Sequence, residues 1–275
     1  MKLHKVAQRF NNTPCNDAYT GEFVFYGQFD VYPEAVRDGI STQRRVLELA
    51  PHTQIPPRRT VSYEDTVWII GERNIDVFRG KVIREKFPVQ KSNGLATVKT
   101  MKEVAEGLAG FQAHAGAVFT RTAKQVEESS GEFVQMTMYF ANVETIRPSN
   151  IIEQGGRYYI VREQYQATAG HLGVLTEELE QPFIEEVESS GEYDPITETY
   201  KPGGVIRIVR LRWQTDFQYF SQMTPTFERG DMQAVTSVQS EVEVGSVLDL
   251  SDGPWKVVRV DLRNEVKYLH LRRDA

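Results

Sequence analysis

The sequence predicts a mainly β fold: two or more small β-barrel or β-sandwich modules in series, with one or two short helices and an N-terminal arm. Three stretches carry that expectation. In Val143 to Arg162, one strand runs to a Pro-Ser-Asn break, and another, Arg157-Tyr158-Tyr159-Ile160-Val161, leaves the Gly155-Gly156 turn. Paired glycines supply the positive φ angles of a tight hairpin, and aromatic and β-branched residues fit a pleated, half-buried surface. A related pattern closes the chain, where Val242 to Leu250 passes through Ser251-Asp252-Gly253-Pro254 into the strand from Trp255 to Val260. A looser copy comes earlier, with Thr66 to Ile70 reaching Gly71-Glu72-Arg73-Asn74 before Ile75 to Phe78.

Residues 1–58 read as the arm. Their regular patterns are Glu22 to Tyr26 and a short helix expected over Thr42 to Leu49. The aromatics Phe10, Tyr19, Phe23, Phe25, Tyr26, Phe29 and Tyr32 need a surface to cover. Two surfaces qualify: the chain's own core or a neighbouring subunit. Pro51, Pro56 and Pro57 disfavour regular structure, and the first strong strand opens at Thr60.

A first β module is placed at residues 59–142 and a second, with the C-terminal hairpin, at 143–275. Within the first, Met101, Val104, Ala105 and Leu108 repeat at helical spacing in Ala96 to Leu108, with Gly107 and Gly110 to end the helix. Thr120 to Glu128 is a second helical stretch, and strands resume over Phe133 to Phe140. Phe111 to Gly116 resembles Tyr165 to Gly170, and Ser129 to Phe133 resembles Ser189 to Tyr193. Two matches in the same order point to a duplication whose units meet at Val143.

Composition narrows the functional classes. A chain of 275 residues that is 40% hydrophobic and 25% charged buries a sizeable core. No apolar run approaches the ~20 residues of a membrane helix, and the polar residues after Met1 to Val6 predict no secretory signal. The lone Cys15 forms no internal disulfide and reads as a bystander from a reducing compartment. A net charge of −6 argues against gripping nucleic-acid phosphates as the main task.

The search for catalytic patterns points to no enzyme, metal or cofactor. His4, His52, His114, His171 and His270 are scattered without zinc-ligand spacing, and neither a nucleophile elbow nor a phosphate-binding loop is present. Glu177, Glu178, Glu180, Glu185, Glu186 and Glu188 read as a solvated acidic face. Arg207, Arg210 and Arg212 sit on one strand, with Arg259 and Arg263 on another, and Arg210 and Arg212 share a face. They would pair with Glu or Asp on an adjacent strand or subunit, or meet DNA phosphates, and the acidic total favours pairs. Trp213, Phe217 and Tyr219 share a face of the strand after them, which packs in the core or docks a partner.

The hairpin Ser149-Asn150-Ile151-Ile152-Glu153-Gln154-Gly155-Gly156-Arg157-Tyr158-Tyr159-Ile160-Val161 is similar to small barrels of the head-to-tail connector (head-completion, stopper or neck) proteins of tailed bacteriophages. That resemblance implies a structural virion protein, assembled in the host cytoplasm, that forms or joins a ring linking portal to tail. Its expected partners are other copies of itself, portal or adaptor and tail proteins, and DNA that passes through the lumen without being read, with no membrane involved. The expected interface residues are Phe23, Phe25, Tyr26, Phe29, Trp213, Phe217, Tyr219, Arg210 and Arg212. The competing expectations are a capsid-decorating or ligand-binding β module and a β-fold hydrolase.

Overall fold

A computed structural model describes residues 13–33, 43–121, 134–167, 170–179, 183–188, 193–194, 199–200, 205–211, 230–263 and 265–273. The chain is mainly β, with barrel-like sheets in series. The first contains β1 (Thr13–Asp17), β2 (Phe23–Pro33), β3 (Gln43–Leu49), β4 (Thr60–Tyr63), β5 (Thr66–Ile70), β6 (Asn74–Phe78) and β7 (Lys81–Lys91). Its order is β3-β2-β1-β4-β5-β7-β6, and a further β3–β7 ladder closes six of the strands into a ring, with β6 outside it. The second is a closed barrel of β8 (Gly94–Lys99), β9 (Phe111–Arg121), β10 (Val134–Phe140), β11 (Ile151–Gln154), β12 (Arg157–Gln166) and β13 (Leu172–Leu179). The third has β14 (Phe183–Glu188), the short pair β15 (Tyr193–Asp194) and β16 (Thr199–Tyr200), then β17 (Val205–Leu211), β18 (Met232–Ser237), β19 (Val247–Leu250), β20 (Gly253–Arg263) and β21 (Val266–Arg273). Its sheet runs β14-β17-β18-β21-β20-β19, with β15 and β16 paired apart from it.

All three sheets follow one plan. Three strands form a meander, a hairpin pairs back on the first of them, and a last strand joins the hairpin to the third. The second and third sheets repeat these antiparallel pairings, except that β14 and β19 share no ladder among the described residues.

The repeated hairpins are in register. Thr60↔Ile69, Ile151↔Ile160 and Val247↔Lys256 pair at the same place in β4–β5, β11–β12 and β19–β20. Each hairpin sends an aromatic ring inward: Trp68, Tyr159 and Trp255, which are 4%, 4% and 6% exposed. Each ring is flanked in its core by equivalent apolar residues: Val61 and Ile70, Ile152 and Val161, Leu248 and Val257. The backbone hydrogen bonds before the hairpins match as well, with Ile70 N–H to Arg59, Val161 N–H to Asn150 and Val257 N–H to Ser246. Immediately after these residues β12 and β20 carry a bulge, and at the same place in the first barrel Gly71 to Arg73 separates β5 from β6. An added residue bends a strand and increases its twist, which lets a short sheet curl into a ring.

The Gly155-Gly156 turn forms as expected, with φ of 59° and 76°. In the C-terminal hairpin Leu250 pairs with Gly253, so Ser251 and Asp252 make the turn and Gly253 takes the positive φ of 120°. The earlier hairpin lies elsewhere than expected: β5 pairs with β4 across Glu64-Asp65, and β6 pairs with β7. The duplication is corrected too. Phe111 to Gly116 lies within β9, whereas Tyr165 and Gln166 end β12 of the same barrel. The repeat is the hairpin beginning at residues 60, 151 and 247.

The arm and its boundary are also corrected. Cys15, Phe25, Leu47 and Leu49 are buried with Val61 and Trp68, so β1, β2 and β3 supply three walls of the first barrel. Burial pushes the Cys15 thiol up to about 12. Residues 43–49 are strand β3 rather than helix, because pairing on both sides with β2 and β7 outweighs their local preference. The boundary at 142/143 cuts through the second barrel, which spans residues 94–179.

The predicted helix over Ala96 to Leu108 shortens to α1 (Met101–Glu106), since Ala96 and Val98 alternate inward on β8. Thr100 and Glu103 form a capping box, and Gly107 ends the helix at φ 72°. Thr120 and Arg121 belong to β9, and the rest of the second expected helix lies outside the described residues.

Deletion of residues 1–40 removes β1 and β2 and is expected to abolish the melting transition of the first barrel while the third retains its own. Calorimetry of full-length and truncated chains checks this, and an unchanged first transition would contradict it.

Candidate assembly surfaces

The expected interface residues separate into different environments. Phe25 is buried in the first barrel. Phe29 packs at the margin of the same core, stacked on Tyr63 with ring centroids 5.1 Å apart and tilted against Trp68 at 5.5 Å. Phe23 and Tyr26 lie at the surface, about half exposed, with their rings 4.9 Å apart. The structure therefore assigns the two inward aromatics to the chain's own core and leaves the other two as a solvent-facing pair. Arg212, Trp213, Phe217 and Tyr219 lie outside the described residues.

Arg210 pairs within its own barrel. Its Nη2 lies 2.6 Å from Glu185 Oε1 on neighbouring β14, and its Nη1 lies 3.0 Å from Asp252 in the β19–β20 turn. Ser251 N–H donates to Glu185 at 3.0 Å, and Trp255 Nε1 donates to Asp252 at 2.9 Å. This clasp ties β14, β17 and the hairpin together where the other barrels have a β-ladder. Burial alone would push the Glu185 carboxyl up, but the bonds from Arg210 and Ser251 outweigh it and hold the group below the usual range. Burial likewise disfavours the Arg210 charge, and Glu185 and Asp252 more than offset it.

The barrels are joined by two kinds of contact. Between the first and second, Arg58 bonds Glu144 at 2.8 Å, donates to the Gln112 carbonyl and lies 3.8 Å over the Tyr19 ring. The His114 N–H donates to Tyr19 Oη at 3.1 Å, and the His114 ring sits beside that of Tyr19 with Nδ1 3.3 Å from Ser92 Oγ. Burial lowers the His114 pKa, which favours the neutral ring in this junction. His171 Nε2 lies 3.1 Å from the Ile69 carbonyl, and only the nitrogen can donate in that pair. Between the second and third barrels the contact is mainly apolar: Met101, Val104 and Ala105 of α1 share a cluster with Ile151, Ile160 and Leu179 on one side and Val209, Leu211, Val235 and Val266 on the other, and Lys102 of α1 pairs with Glu265 of the β20–β21 turn at 2.5 Å.

Two surface features were missed by sequence reasoning. An open cleft of about 600 Å³ beside the first junction is lined by Glu144, Arg147, Tyr165 and His171 among others. A two-stranded ribbon, β6 with the start of β7, exposes Ile75, Val77, Phe78 and Ile83 at 49%, 55%, 58% and 39%. On this ribbon Asp76 and Lys86 pair at 2.9 Å, and Glu48 holds Arg84 at 3.0 Å. The signal for the ribbon was the Arg79-Gly80 turn, whose φ angles of 50° and 74° suit a tight hairpin. Among the described residues no group of three or more His, Cys, Asp or Glu is arranged to hold a metal, and no helix is long and apolar enough to cross a membrane.

Arg210→Ala leaves Glu185 largely buried without its principal cation. The expected loss is about 2–3 kcal/mol, below the ~3–5 of a fully buried pair because Asp252 is partly exposed. The lowered Glu185 pKa also fixes the sign with pH: its contribution is present above the unfolded carboxylate value and fades as pH falls through the folded value. Denaturant melts from about pH 7 to pH 3 should show a steeper acid loss in the wild type than in the variant. Equal stability and equal pH slopes would contradict this role. No family model, curated protein or solved structure matches the chain.

Proposed function

We propose that the chain is a structural virion protein of the head-to-tail connector of a tailed bacteriophage, forming a ring between portal and tail. The observation that carries the reading is the triplication of the hairpin. The motif behind the connector resemblance recurs with the same turn length and inward aromatic in all three barrels. A chain of three such barrels, joined by the Arg58–Glu144 pair and by the apolar cluster around α1, presents fixed lateral surfaces to its neighbours. Rings arise from head-to-tail contacts whose rotation closes. The exposed apolar ribbon on the first barrel supplies a surface of the kind that marks protein–protein contacts.

In this role the partners are other copies of the chain, the portal or an adaptor, and the tail. DNA passes through the lumen, and a net charge of −6 keeps that passage free of tight phosphate binding. Sedimentation and electron microscopy of the purified chain are expected to show a closed ring of many copies. A species that stays monomeric at every attainable concentration would overturn the reading.

A further inference from the structure

The first and third barrels have complementary incomplete edges. In the first, β3 reaches along β7 only to Leu49↔Glu85. The ribbon beyond that point, from Lys81 to Arg84 with the outer edge of β6, adjoins no other strand among the described residues. In the third, β14 and β19 approach each other without a ladder among the described residues, pinned instead where Ser251 meets Glu185. Open strand edges are templates for another strand.

Apolar exposure and charge indicate which edges meet. The ribbon exposes Ile75, Val77, Phe78 and Ile83, while the seam exposes Ile184 on β14 and Val247 on β19. Arg79 and Lys81 stand exposed at the ribbon tip, and Glu186 and Asp249 stand exposed on the two seam strands; among the described residues none of the four has an ion-pair partner. Ribbon against ribbon would bring the cations of two copies together, and seam against seam would bring the carboxylates together. Both symmetric pairings are disfavoured, and ribbon against seam is left. That contact is head-to-tail, the kind a ring requires.

We propose that the β6–β7 ribbon of one copy docks on the β14/β19 seam of the next, with β6 added as a strand and Arg79 and Lys81 facing Glu186 and Asp249. The inference rests on the self-assembly reading above and deepens it. Ile75 and Val77, which share a face of β6 by period two and are exposed, favour a protein occupant over nucleic acid, whose backbone would leave them in water.

The test is a charge exchange between two variants, one carrying Arg79→Glu and Lys81→Glu, the other Glu186→Lys and Asp249→Lys. Each alone places like charges across the contact and is expected to lose assembly, with the self-association constant weakened at least about tenfold. Mixed, the two restore opposite charge at every contact and are expected to regain the wild-type mass in sedimentation. Melting curves establish that both are folded. Val77→Asp on the ribbon and Asp249→Asn on the seam provide milder substitutions with the same expected direction.

Assembly by either variant alone at wild-type strength, or failure of the folded mixture to assemble, overturns the docking while leaving the ring reading intact. A wild-type chain that never self-associates overturns both. Loss of binding to added duplex DNA in the ribbon variant, with self-assembly unaltered, assigns the ribbon to nucleic acid and also overturns the proposal.

Discussion

Each barrel depends on the burial of one aromatic ring from its central hairpin. Trp68, Tyr159 and Trp255 occupy the same place relative to a short turn, and each fills its barrel between two apolar neighbours of the same hairpin. Small barrels have little interior, so a single large side chain supplies a major part of the core. Truncating such a residue typically costs about 3–5 kcal/mol. The turn length fixes the register, the register directs the ring inward, and the bulge that follows bends the strand around it. Three segments with little sequence in common thus reach one architecture.

Closure is the second constraint, and the third barrel meets it differently. Where β1 pairs with β4 and β8 with β11, the third barrel holds β14 to its hairpin through Arg210, Glu185, Ser251 and Asp252. A side-chain clasp fixes one point, whereas a ladder fixes a row of backbone groups. Glu185 and Arg210 are nonetheless well buried, with side chains 9% and 12% exposed, so losing either leaves the other's charge without its main partner. The consequence is a barrel that is held shut yet retains strand edges. The same chain carries a ribbon at its other end, and the proposed assembly role follows from that asymmetry.

Local chemistry made part of this legible in the sequence. Gly155-Gly156 and Ser251-Asp252-Gly253 announced two hairpins, and the helical spacing of Met101, Val104 and Ala105 announced the helix, whereas its start at the Thr100 capping box was not read. The first hairpin was misplaced because its turn is Glu64-Asp65, two non-glycine residues in the left-handed region, while nearby Gly71 drew attention to the wrong break. The arm was misread for a different reason. Its strands pair with β4 and β7, far along the chain, and short-range patterns do not encode such pairing. Acidic composition favoured an ion-paired Arg210 with its partner on an adjacent strand or subunit, and the pair it makes is with Glu185 on adjacent β14. The spacing of Trp68, Tyr159 and Trp255 after Val61, Ile152 and Leu248 was present all along, obscured by unlike residues between them.

One barrel plan is used three times, closed by ladders twice and by a clasp once. Hydrogen exchange of backbone amides in the unassembled chain tests it most directly, because amides held in a ladder exchange only through opening. Slow exchange is expected along the β1–β4 and β8–β11 contacts, and fast exchange for seam-facing amides of β14 and β19 away from Ser251. Uniformly slow exchange across the β14/β19 seam, matching the other two barrels, would contradict it.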